Sequence, residues 1–344
     1  MLSVGAAALY HNATGGSYGN DFRGILAAAH RIAHGASPYL GSTAHQLGLA
    51  NNPYVLPPLI AELAIPLTGL PFAASVAIFN VACALALIAA LRILGTRDAR
   101  VYAVALCSLP FVSSVFLGQP DGLFALLLAL AWRWRSSWRA GVVLALLIAA
   151  KPLLLPLVVW PVLTRRWAGA ALAAAGSALL LLASWAPIGF TGLLGYPHRL
   201  ALDGRAFDGR SHSLAAALLK LGTSLGTGEL AGLLVALLAA ALLARWARDR
   251  DLGAFTACMA GALLASPLLW THYLTILFVP LALTRRRLDL VWMSVALFYL
   301  SPREPVAHVW QIAVVLALGL AMAAGAVVRA RELKPRSAPA QRPL

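Results

Sequence analysis

Long apolar runs separated by clusters of arginine constrain this chain more than any other feature. Of its 27 lysines and arginines, 19 fall in six clusters between or after those runs. The clusters are Arg92/Arg97/Arg100, Arg133/Arg135/Arg139, Arg165/Arg166, Arg245/Arg248/Arg250, Arg285/Arg286/Arg287 and the tail Arg329/Arg331/Lys334/Arg336/Arg342. Hydrophobic residues make up 61% of the 344, more apolar surface than a soluble core can hide. The chain therefore reads as an all-α, polytopic integral membrane protein. Placing alternate loops on one side puts every cluster in the same compartment, as positive-inside bias requires. The net charge of +15 is then an orientation signal. No basic patch interleaved with exposed aromatics points to a nucleic acid.

Taking the arginine clusters as cytoplasmic predicts spans near 72–94, 101–117, 121–134, 140–152, 153–163, 168–190, 227–246, 252–270, 273–284, 289–300 and 309–328. That is 11 crossings, or 12 with an inside N-terminus. Residues 1–10 read as a truncated first helix, because the apolar part covers only about 14 Å. A crossing takes roughly 20 residues. Several runs are shorter, so some helices are predicted to be broken or re-entrant around a protein-lined cavity. Residues 1–344 read as a single transmembrane domain with outer loops at 11–53 and 191–226 and a basic cytoplasmic tail at 329–344. Cys83, Cys107 and Cys258 lie in apolar runs without ligand spacing and read as small hydrophobes.

The same parity gathers the unusual polar residues on the outer side. In the first loop, Asp21 to His34 is predicted to be an amphipathic helix, capped by Asn20 or Asp21 and ended by Gly35. Its apolar positions Phe22, Ile25, Leu26, Ala29, Ile32 and Ala33 are expected to face lipid. Residues 53–71 are apolar, bracketed by prolines, and expected to dip into the membrane without crossing.

Each candidate residue has a functional and a structural reading. Asp21 suits a general base for a hydroxyl, or a helix N-cap. His272 suits a ligand contact or an orienter of Asp21, or else an interfacial residue beside Trp270 and Tyr273. Lys151, at a break between short apolar runs, suits neutralisation of an anion, or snorkelling. Gln119 and Asp121 lie in Gly118-Gln119-Pro120-Asp121, either a plain turn or a ligand-contacting hairpin. His30 and His34 are spaced to share a metal with Asp21, but read better as a polar face turned to water. Arg199, Arg205 and Arg210 stand outside the positive-inside trend, suited to phosphate or simply solvated.

Five blocks in order carry a resemblance. They are Asp21-Phe22 with Gly35-Ala36-Ser37-Pro38-Tyr39; Tyr54-Val55-Leu56-Pro57-Pro58 with Pro66-Leu67 and Leu70-Pro71; Gly118-Gln119-Pro120-Asp121; Lys151-Pro152 ahead of Arg165-Arg166-Trp167; and Ser266-Pro267-Leu268-Leu269-Trp270-Thr271-His272. With these the chain resembles the bacterial family-87 glycosyltransferases of the GT-C superfamily, membrane enzymes that use polyprenyl-phosphate sugars, typically mannose. The family usually has a complete first transmembrane helix, and often asparagine where Asp121 stands.

The resemblance implies an inverting transfer to an outward-facing glycan or glycolipid at a bacterial cytoplasmic membrane. It implies Asp21 as base, Lys151 and His272 on the donor phosphate, and Gln119, Asp121 and Tyr54 on substrate. Neither metal nor cofactor is implied, and membrane lipids are the other partners. Two rivals stand beside it: a transporter or flippase of lipid-linked sugars, and an inactive relative. No internal repeat is visible, which weakens the transporter.

Overall fold

The computed structural model describes residues 18–39, 54–246, 249–300 and 308–332. The expected helix at 1–10, stretches 11–17 and 40–53 of the first loop, the Ser301–Pro305 segment and the tail beyond 332 lie outside these residues. All regular structure among the described residues is helical. Four helices are long and apolar enough to cross a membrane: α3 (Phe72–Ile93), α9 (Trp167–Trp185, extended by a 3-10 turn to Ile188), α12 (Leu225–Trp246) and α16 (Val309–Glu332). A fifth candidate is the pair α4 (Ala99–Cys107) and α5 (Leu109–Leu117), bent by 54°. The bend falls where Ser108 is extended and Pro110 lacks an N–H.

The shorter runs form short helices, as the lengths predict. They are α1 (Asn20–Ala33), α2 (Pro58–Ala64), α6 (Asp121–Arg133), α7 (Arg139–Ala150), α8 (Val159–Leu163), α10 (Tyr196–Phe207), α11 (Leu214–Lys220), α13 (Arg250–Ala265), α14 (Phe278–Thr284) and α15 (Leu290–Ser294). At about 1.5 Å per residue, α6 and α7 are each roughly 18–20 Å long, well short of a ~30 Å hydrocarbon core.

The chain runs along α6 from Asp121 to the arginines near 133, then back along α7 to Lys151. It then returns through a 3-10 helix (Pro152–Val158) and α8 to Arg165 and Arg166. Pro156 removes a backbone donor inside this stretch, which favours the looser ladder. The later segment repeats the pattern. His272 opens a 3-10 helix (Thr271–Leu277), α14 follows, and Arg285 ends it. In both places a polar residue, Lys151 or His272, at one end of the bundle is joined by a broken segment to an arginine cluster at the other.

The basic clusters meet in space. Asp98, beside Arg97 and Arg100, accepts from the Leu288 backbone N–H at 3.0 Å, next to Arg285–Arg287. Asp251, beside Arg250, pairs with Arg166 at 2.6 Å and Arg135 at 3.2 Å. Packing between the two ends is close. A Cβ on Gly122 in α6 would sit 2.1 Å from the Cys83 carbonyl oxygen in α3, so only glycine lets these helices approach.

Helix α1 forms where predicted, but two details differ. Its N-cap is Gly19, in the left-handed region, with no side-chain cap bond, so neither Asn20 nor Asp21 caps it. Its apolar face meets protein rather than lipid. Phe22, Ile25, Ala29 and Ile32 are buried, and Phe22 stacks on Phe79 at 4.6 Å. Leu26 is partly buried and Ala33 exposed. Helices α2 and α3 offer a complementary apolar surface, and a helix moment cannot tell such a surface from lipid.

Candidate active site

At the end of the bundle away from the arginine clusters lies a cavity of about 260 Å³. Asp21, Tyr54, Gln119, Lys151 and His272 all line it, although they come from five separate stretches of sequence. Gly118 makes the first junction. It is left-handed at φ 77°, and a Cβ there would lie 2.5 Å from the Cβ of Phe22. The hairpin between α5 and α6 can therefore press against α1, which brings Gln119 to Asp21.

Asp21 is half-buried in the first turn of α1, where the positive end of the helix favours its charge. Gln119 Nε2 donates to Asp21 Oδ2 at 2.6 Å. Desolvation nevertheless dominates and raises the carboxyl above its ordinary value; the Gln119 bond and His272 pull it down, and Asp121 pushes it up. A more basic carboxylate with one oxygen held and the other toward the cavity is suited to taking a proton.

The same cavity meets a buried polar group of three. Asp121 is fully buried at the start of α6. Its Oδ2 is 2.6 Å from His272 Nδ1, and its Oδ1 accepts from Lys151 Nζ at 3.3 Å. Tyr273 lies flat under Lys151, with the ammonium 3.4 Å from its ring centroid. Facing a carboxylate oxygen, Nδ1–H is the donor, which leaves Nε2 as the other polar atom of the ring.

Three of these residues have partners that the sequence did not give. His272 bonds Asp121 rather than Asp21. Asp121 is not in the cavity lining and meets His272 and Lys151 instead. Tyr54 uses its hydroxyl on the backbone, donating to the Pro57 carbonyl and accepting from Ala61 N–H at 3.2 Å.

Helix α10 adds groups that the sequence marked only weakly. Asp203 is buried in the wall, and desolvation pushes its carboxyl up to about 7; Arg199 lowers it and Asp21 raises it further. Arg210 sits exposed at the mouth beside Phe207, and Trp270 faces Phe207 edge-on at 6.1 Å. Arg199 is instead buried against Tyr39 and the Tyr54 carbonyl. Arg205 is exposed. His30 and His34 stack on each other at 4.5 Å on the exposed face of α1, away from the cavity wall.

The fold and its cavity define a polytopic, all-α membrane protein with an acid–base cleft at one end. The chain belongs to glycosyltransferase family 87, whose profile matches residues 54–271, well over half its length. It is accordingly a membrane glycosyltransferase. The matched segment holds Tyr54, Gln119, Asp121 and Lys151, and stops one residue before His272; Asp21 precedes it. No curated protein and no solved structure matches the chain.

Proposed function

We propose that this glycosyltransferase moves a sugar, mannose by family likeness, from a polyprenyl-phosphate to an outward-facing glycan or glycolipid at a bacterial cytoplasmic membrane. The observation that carries the reading is one cavity lined by Asp21, Lys151 and His272, with Asp121 bonded to the last two. A phosphate leaving group needs cationic donors and an acceptor hydroxyl needs a base, and this lining offers both kinds of group.

Asp21 takes the proton of the acceptor hydroxyl as its oxygen bonds to the anomeric carbon. The bond from that carbon to the phosphate oxygen breaks, and its electron pair leaves with the phosphate. His272, with Nδ1 on Asp121, has its second ring nitrogen for the donor phosphate. Lys151, already half-neutralised by Asp121, adds to the field that favours the departing anion. Attack on the face of the anomeric carbon opposite the leaving group inverts that centre. The depth of the cavity supports a lipid-borne donor. Its floor is one short helix, about 18 Å, from the basic end, so it lies below the outer surface of a ~30 Å core.

In membranes carrying the enzyme, labelled sugar should pass from polyprenyl-phosphate to acceptor with inversion. Transfer from a soluble nucleotide sugar alone, or with retention, would contradict this reading.

A further inference from the structure

A second cavity, of about 200 Å³, opens at the far end of α6 and α7 from the reaction site. Arg135, Ser136, Trp138, Gly141, Arg166 and Trp167 are among its lining. The two arginines are built in rather than loose. Arg166 grips Asp251 through two bonds of 2.8 and 2.6 Å, and Arg135 Nε reaches the same carboxylate at 3.2 Å. Trp160 Nε1 adds a fourth contact to Asp251 at 2.6 Å. Arg135 also donates to the Trp132 carbonyl at 3.2 Å. A guanidinium has five N–H donors. Each arginine here uses two, leaving three, and two cations against one carboxylate leave the cluster at +1.

We propose that this cavity binds the phosphate headgroup of an anionic phospholipid in the leaflet at the basic face. A phosphodiester carries one negative charge, which matches the surplus, and its oxygens suit the guanidinium fork. Asp251 holds both forks in place beforehand, so little side-chain freedom is lost on binding. Trp138 and Trp167 flank the opening at 60% and 64% exposure, as indoles do at headgroup level. Val142 and Leu172, exposed beside the lining glycines Gly141 and Gly169, continue the site as an apolar lane along α7 and α9. Free phosphate would gain nothing from that lane, which is why a lipid is the occupant chosen.

The test is native mass spectrometry of the full-length enzyme in detergent, titrated with phosphatidylglycerol, phosphatidylcholine or inorganic phosphate. Phosphatidylglycerol should bind in preference to both. Ser136→Glu places a negative charge at the exposed edge and should weaken that binding about fivefold, the effect of one charge at an anionic lipid. Arg135→Gln should weaken it similarly, while Asp21→Asn should leave it unchanged. Equal binding of phosphatidylglycerol and phosphatidylcholine would overturn the proposal. So would equal binding of inorganic phosphate, or wild-type phosphatidylglycerol affinity in a folded Ser136→Glu enzyme.

Discussion

Asp21 and Asp121 have different partners, and their surroundings give them different work. Asp121 is sealed between Lys151 and His272. Asp121→Asn would leave the Lys151 ammonium buried without its counter-charge, a change that typically costs about 3–5 kcal/mol. The thermal midpoint in detergent should fall clearly and transfer should drop with it. An unchanged midpoint would mean that Lys151 finds another partner. Gln119 has the opposite influence on Asp21, since its amide stabilises the carboxylate. In Gln119→Met the acid limb of the kcat/KM profile should move to higher pH. Asp203 titrates at about 7 and faces the same cavity. Above that pH it adds a negative charge beside an anionic donor, so donor KM should rise there; Asp203→Asn should abolish the rise. A rise that persists in Asp203→Asn would assign it to another group.

Among the elements, the short helices matter most, because α6, α7 and the two broken segments set the distance between cavity and basic face. Their register depends on contacts such as Gly122 against the Cys83 carbonyl. Gly122→Val should force α6 from α3, displace Asp121, and cost both stability and activity, read by thermal unfolding and transfer. A valine enzyme with wild-type stability would show that the pair has room to adjust. Much of this level was legible in the sequence. Run lengths forecast broken segments, Gly35 marked the end of α1, and the polar residues at hairpins pointed to one end of the bundle. Other features were not. The apolar stripe of Phe22, Ile25 and Ile32 looks alike whether lipid or protein covers it. The pairing of Asp121 with Lys151 and His272 joins residues 30 and 151 positions apart, which no local pattern encodes. Asp203 carries no local sequence signal, because its raised carboxyl comes from burial in the folded chain.

Among the described residues, the arginine clusters near 97, 135, 166 and 285 lie toward one face and the cavity opens at the other. Reporter fusions after Arg166, Arg250 and Arg287 should therefore be cytoplasmic, and one near Asp208 external. An external Arg287 would reverse the orientation and place the cavity on the wrong side for an outward acceptor. The central claim is that Asp21 is the base of a glycosyl transfer, and the most direct measurement is the turnover of Asp21→Asn. The substitution keeps size and the Gln119 contact but removes the proton acceptor. General-base loss typically costs on the order of 10²–10⁴-fold in rate. Helix α1 should be little affected, because Asp21 makes no cap bond there. Assayed in membranes with labelled polyprenyl-phosphate sugar, the variant should accumulate normally and transfer at least about a hundredfold more slowly. Wild-type turnover by Asp21→Asn would contradict the account and move the base to the His272–Asp121 pair.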